Sequence, residues 1–284
     1  MKVLVTGGNG YIGRHVLSSL LASGFDVIAC DIRFDNQDER IKQIECNIFD
    51  NPSENLFQEL GSPDVCLHMA WRNGFVHNAD TQMGDLSAHY NFLTSMINGG
   101  LKRIAVMGTM HEIGYWEGAI DENTPCNPLS MYGIAKDALR RCMILYCKQH
   151  ECILQWLRCY YILGDDRRNN SIFCKLLQAD ERGDKLFPFT SGKNKYDFID
   201  VNELAELIAM SVGQDKVNGI INCCTGKPIS LADRVEQFIS DNNLSVRLDY
   251  GKFPDRPYDS PCEYGDPAKI NEILQVYKNR ENNL

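Results

Sequence analysis

Through the first half of the chain, short apolar runs alternate with segments whose apolar residues recur at helical spacing. Met1–Thr6 (MKVLVT) predicts a buried strand, and Tyr11–Ser23 carries apolar residues three and four apart until Gly24 stops it. Phe25–Asp31 (FDVIACD) predicts a second strand, and Ile41–Asn47 contains a third. Asp64–Ala70 (DVCLHMA) and Arg103–Gly108 (RIAVMG) read as further buried strands, separated by a helix over Leu86–Ile97 that Gly99 and Gly100 close. A helix over Met131–Gln149 then leads into a strand over Ile153–Cys159. Continuous apolar strands, each followed by a helix, predict an α/β chain with a doubly wound parallel sheet covered by helices on both faces. Beyond Gly164 the pattern loosens. Helices are expected over Asn202–Ser211 and Leu231–Asn242, whereas FPFTSG and KFPDRPYDSP read as loops.

Composition narrows the function classes. The 284 residues carry 29 Lys+Arg against 38 Asp+Glu, a formal net charge of −9, with no basic stretch to neutralise phosphates, so nucleic acid is not an expected partner. No apolar run approaches the roughly 18 residues of a membrane span, and MKVLVTGGNG lacks a secretory signal, so neither a membrane nor export is expected. Twelve cysteines occur without any C-x-x-C pair, and several sit inside apolar runs. They read as small buried hydrophobes rather than metal ligands, and as reduced thiols they point to the cytoplasm. No metal is expected.

The first chemistry-bearing segment is Thr6-Gly7-Gly8-Asn9-Gly10-Tyr11-Ile12-Gly13, between a strand and a helix. Its glycines fit both G-x-G-x-x-G and G-x-x-G-x-x-G, and in that position they let a backbone turn approach a dinucleotide pyrophosphate at a helix N-terminus. Asp31 ends the second strand, where a carboxylate accepts ribose hydroxyls and repels a 2′-phosphate, favouring NAD; the nearby Arg33 leaves NADP open. Tyr132 and Lys136 lie four apart, on one helix face. A tyrosine beside a cation can pass the proton that accompanies hydride transfer at a carbinol carbon. Thr109, at a strand end, can bond the same oxygen.

These residues, with LHMA, TMHEIG, DENTPCNPLSMYGIAK, LRCYYILG, YDFIDVNELA, NCCTGKPIS and RPYDSP, give a chain that resembles the extended short-chain dehydrogenase/reductase family, the NAD-dependent epimerase/dehydratase group acting on nucleotide sugars. The resemblance implies a Rossmann domain over 1–165 and a sugar-nucleotide-binding region over 166–284, with the chain returning to the first domain near 196–225. It implies Thr109, Tyr132 and Lys136 as the catalytic trio. Gly7, Gly10, Tyr11, Ile12, Gly13, Asp31, Ile32, Arg33, Asn47, Ile48, Met69, Ala70 and Trp71 fall on the cofactor, with Tyr132 and Lys136. An Asp is more usual than Asn47. Dehydratases of the group carry acidic residues after the catalytic Ser/Thr; here Met110 and His111 stand there, so 4,6-dehydration is not expected. Met110 and His111 fall on the substrate, and His111 is either a proton shuttle or a packing and binding group. Lys195 and Arg256 are candidates for the substrate's diphosphate. The reading preferred on these grounds is reduction of an NDP-4-keto-6-deoxyhexose. The alternatives are a nucleotide-sugar 4-epimerase and a non-catalytic NAD(P)-binding protein. A homodimer through the helices at Leu86–Ile97 and Met131–Gln149 is expected by analogy.

Overall fold

The structure is a computed structural model that describes residues 1–35, 38–164, 171–255 and 259–281, with side chains through 279. Its first part runs β1 (Lys2–Thr6), α1 (Tyr11–Ala22), β2 (Asp26–Asp31), β3 (Lys42–Glu45), α2 (Leu56–Glu59), β4 (Val65–His68), α3 (Thr81–Gly84), α4 (Leu86–Asn98), β5 (Arg103–Thr109), β6 (Gly118–Ile120), α5 (Met131–Gln149) and β7 (Ile153–Cys159). It continues through β8 (Tyr161–Leu163), α6 (Ile172–Glu181), β9 (Leu186–Pro188), β10 (Lys195–Asp200), α7 (Val201–Val212) and β11 (Gly219–Cys223). The last elements are β12 (Pro228–Ser230), α8 (Leu231–Asp241), β13 (Arg247–Asp249), β14 (Cys262–Gly265) and α9 (Ala268–Glu281).

Seven strands form one sheet in the order β11-β7-β5-β4-β1-β2-β3, every neighbouring pair parallel. Parallel strands need crossovers, and the helices that make them cover both faces, which is why Val3 to Thr6 are buried without alternation. On one face α1, α7 and α9 pack Val16, Leu17, Leu20, Leu204, Ile208 and Ile273 on the sheet. On the other, α4 and α5 bring Phe92, Leu93, Met96, Leu139 and Met143. Each such side chain contributes about 1.5–3 kcal/mol when fully buried. The strand order reverses between β1 and β4, so a crevice opens beyond their C-terminal ends, where α/β sheets bind ligands.

A second sheet, β12-β10-β14-β6 with β8 joined to β10, stands over that crevice, and β9 pairs with β13. Its core is Phe173, Leu176, Phe189, Tyr196, Phe198, Val235 and Leu248. The two sheets interleave along the chain. β6 leaves the first half for the second sheet, while α7, β11 and α9 return to the first.

Expected and observed elements coincide for α5 and β7 and agree to within a few residues for β1 to β5. Two expectations need correction: FPFTSG is not wholly a loop, since Leu186–Pro188 forms β9 against β13, and the region after 164 holds a helix, α6, and a strand, β10, that the polar pattern concealed. Both strands owe their order to partners far along the chain. The cysteines form no disulfide, and of the twelve only Cys142 is exposed. Among the described residues no helix is long and apolar enough to cross a membrane, and no group of three metal-ligating side chains occurs.

Candidate active site

The loop after β1 closes tightly on itself. Gly7 has φ +71, and a Cβ there would lie 2.7 Å from the backbone nitrogen of Ala70; a Cβ on Gly13 would lie 2.2 Å from the Gly7 carbonyl oxygen. Only glycine fits either position, and the result is a bare backbone cradle ahead of α1, with Gly10 at its N-cap. Asp31 braces the cradle: its Oδ2 accepts from Asn9 N at 2.9 Å and its Oδ1 from Ile32 N at 2.8 Å. One cavity of about 1370 Å³ runs from here to the second sheet. Gly7, Gly10, Tyr11, Ile12, Gly13, Asp31, Ile32, Arg33, Asn47, Ile48, Met69, Ala70 and Trp71 all line it. Asn47 spends part of its amide on its own turn, donating to Asp50 Oδ1 at 2.9 Å.

Thr109, Tyr132 and Lys136 meet in the middle of this cavity. Thr109 ends β5 and caps a 3-10 turn over Met110–Glu112, its Oγ1 accepting His111 N at 3.3 Å. Ser130 caps α5 by accepting Gly133 N at 3.2 Å, which sets Tyr132 in the first helical turn. The Thr109 side chain faces the Tyr132 phenol and favours its ionised form. One turn on, the almost fully buried Lys136 donates to the Met107 carbonyl at 2.7 Å. Burial pushes the phenol well above its ordinary value, against the pull of Thr109, so Tyr132 holds its proton at neutral pH. Burial also pushes Lys136 down to about 7, opposed by the charges of Glu112 and Cys159.

Glu112 is the hub beneath the trio and is fully buried. It accepts from Thr109 N and Trp156 Nε1, each at 2.8 Å, and pairs with Arg140 at 3.3 Å and Arg158 at 3.5 Å. Two histidines flank Tyr132. The His77 ring stacks on it at 5.2 Å and 19°, and His111 lies 4.4 Å from His77 and 6.0 Å from Tyr132. Burial, then the neighbouring His77, pushes His111 down to about 4, so it is neutral at pH 7. Residue patterns alone did not single out His77. It sits in the loop before α3, and its contact spans more than fifty residues of chain.

Across the cavity, Tyr161, Phe173, Tyr196 and Phe198 form an aromatic wall, with Tyr161 and Tyr196 rings 4.4 Å apart. Along β10 the side chains alternate. Tyr196 and Phe198 enter the cavity, whereas Asp197 faces the other way and accepts from Thr225 N at 2.9 Å and Gly226 N at 2.8 Å. Lys195 shares the Asp197 parity, is exposed, and is not among the lining residues, so the expectation for it is corrected by strand alternation. Arg256 lies outside the described residues. Met110 and His111 line the cavity. So does Glu263, whose burial raises it to about 7, with Ser260 bonding against that shift and Asp259 adding to it.

Residues 3–224 match the family model of the NAD dependent epimerase/dehydratase family. The chain is 44% identical over 271 residues to the dTDP-6-deoxy-L-talose 4-dehydrogenase (NAD(+)) of Aggregatibacter actinomycetemcomitans, spanning 93% of this chain and 99% of that protein. It is 26% identical over 315 residues to a probable UDP-arabinose 4-epimerase of Oryza sativa subsp. japonica, spanning 96% and 74% of the two. Among solved structures, the UDP-glucose 4-epimerase of Thermotoga maritima with UDP-glucose shares the fold at a TM-score of 0.82 and 21% identity, over 96% of this chain and 92% of that one. With its glycine cradle, its Thr–Tyr–Lys trio and a family match over most of its length, the chain belongs to the NAD-dependent epimerase/dehydratase family.

Proposed function

We propose that this chain is an NAD-dependent oxidoreductase that works at C4 of a dTDP-linked 6-deoxyhexose, reducing a 4-keto group to a hydroxyl or running the reverse. The carrying observation is the 44% identity to a 4-dehydrogenase of that chemistry across almost the whole of both chains. The glycine cradle would hold the pyrophosphate, Asp31 the adenosine ribose, and Met69, Ala70, Tyr132 and Lys136 the nicotinamide half. When bound, NADH supplies the hydride. The chain supplies the rest: Tyr132 gives its phenolic proton to O4 as the carbonyl carbon is reduced, Thr109 donates a hydrogen bond to the same oxygen, and the Lys136 ammonium stabilises the phenolate left behind. Burial keeps Tyr132 protonated at neutral pH, so the proton needed for reduction is present. The aromatic wall gives the nucleotide base flat apolar surface.

The test is turnover of dTDP-4-keto-6-deoxyhexose with NADH, followed by nicotinamide absorbance. A 4-epimerase reading draws on the 26% relative; it requires NAD retained through purification and interconversion of C4 epimers without net consumption of NADH. Because Asp31 presents a carboxylate where a 2′-phosphate would sit, NADH should bind more tightly than NADPH. Asp31→Asn should narrow that preference by roughly tenfold, read as the ratio of the two dissociation constants. Equal affinities in the wild type would contradict the assignment.

Exposed apolar residues on α5, Ile134, Ile144 and Leu145, fit a homodimer formed across α4 and α5. Leu145→Glu should convert it to a monomer in light scattering. Cysteines that form no disulfide fit a reducing compartment such as the cytoplasm.

A further inference from the structure

Two buried histidines and a tryptophan take no part in the chemistry above. His68 ends β4 and His89 lies in α4, both without exposure. Thr6 Oγ1 accepts the backbone N–H groups of Met69 and Ala70, each at 3.2 Å, so its own proton goes to His68 Nδ1, 2.9 Å away. His68 must then carry its proton on Nε2 and donate it to His89 Nδ1 at 2.9 Å. Both rings are neutral in this relay. Burial, then the neighbouring His89 ring and the Lys136 charge, holds His68 far below the ordinary histidine range, and burial with Lys136 holds His89 at about 3.

The relay makes His89 a flat, uncharged support, and Trp71 stacks on it at 4.3 Å and 10°. The indole Nε1 donates to Gln82 Oε1 at 2.7 Å, and the Gln82 amide in turn donates to the carbonyls of Asn73 and Val76 at 2.9 and 3.1 Å. Trp71 is therefore clamped by face and by edge. Lys136 Nζ lies 3.8 Å from the centre of its ring.

We infer that Trp71 is a positioning residue for Lys136: the indole, backed by the Thr6–His68–His89 relay, holds the ammonium between its π face and the Met107 carbonyl and keeps it charged. A buried ammonium has lost its water, and the carbonyl satisfies only one of its three donors; a desolvated cation over an indole face recovers part of the remainder. The other groups around Lys136 do not duplicate this role. Glu112, from the turn after β5, and Cys159, from β7, favour the cation, but Arg140 and Arg158 already claim the Glu112 carboxylate. Tyr132, on the same helix, is neutral, and so are His68 and His89 behind the indole. The inference rests on the reading of Lys136 as the cation of the reaction.

The ammonium favours turnover, so activity falls as pH rises through the Lys136 titration, and losing the π face moves that fall to lower pH. In Trp71→Leu the alkaline limb of the rate should shift down by about one pH unit, with kcat reduced more than KM for the nucleotide sugar rises. Trp71→Phe keeps a ring face and should restore most of the limb. A second reading needs no turnover: in cofactor-free protein, the emission of wild type minus Trp71→Phe isolates Trp71 from the other two tryptophans. It should titrate with a midpoint near the Lys136 value of about 7 and lose that titration in Lys136→Met. Difference emission flat from roughly pH 5 to 9, or limbs that coincide in Trp71→Leu and wild type, would overturn the inference. Should Trp71→Leu fail to fold, the emission titration decides alone. Failure of the proposed function has a separate signature, namely an intact emission titration with no turnover of any 4-keto sugar nucleotide.

Discussion

Tyr132→Phe is expected to lower kcat by roughly 10²–10⁴ while leaving dinucleotide affinity and thermal stability nearly unchanged. The substitution deletes one oxygen. The facing Thr109 stays anchored through Glu112, because Thr109 N donates to that carboxylate at 2.8 Å. The aromatic ring remains, so the stack with His77 at 5.2 Å survives. What is lost is the phenolic proton that faces Thr109 one helical turn before Lys136. Steady-state rates with NADH, together with calorimetric titration of the cofactor, separate chemistry from binding. Full activity in this variant would leave His111 as the remaining candidate for proton transfer.

Glu112→Gln is expected to destabilise the fold by about 3–5 kcal/mol, because it takes the carboxylate from the fully buried Arg158 guanidinium and leaves Arg140 with Asp137 alone. Arg158 is fully buried and Arg140 nearly so. For a chain of this size that corresponds to a fall in Tm on the order of 10 °C. The damage should also reach the chemistry, since the same carboxylate orients Thr109 and the turn that carries His111. Urea unfolding gives the first effect, and kcat measured well below the new Tm gives the second. A stable, fully active Glu112→Gln would mean that the ion pairs do not hold the site.

Much of the fold was legible because the parallel sheet leaves strong local marks. MKVLVT and RIAVMG are unbroken apolar runs, and glycines punctuate them where the chain turns toward the crevice. The helix over Met131–Gln149 was legible to the residue because Ser130 caps it and its apolar stripe is regular. The second sheet was less legible. β9 is three residues whose partner β13 lies some sixty positions later, and α6 follows a polar stretch. The trio was readable from the order Thr109, Tyr132, Lys136. Its support was not: Glu112, His77, His68 and His89 gain their roles from neighbours on other elements. Lys195 shows the reverse error, a cation plausible by position in the chain that strand parity turns away from the cavity.

The most direct test of the central claim follows one atom. NADH carrying deuterium at the transferable position of its nicotinamide is incubated with dTDP-4-keto-6-deoxyhexose and the purified protein. The account requires the label to appear at C4 of a dTDP-6-deoxyhexose, one deuterium for each NADH oxidised and in a single configuration. Sugar that changes configuration at C4 without taking up label, over an NAD that stays bound, would contradict it.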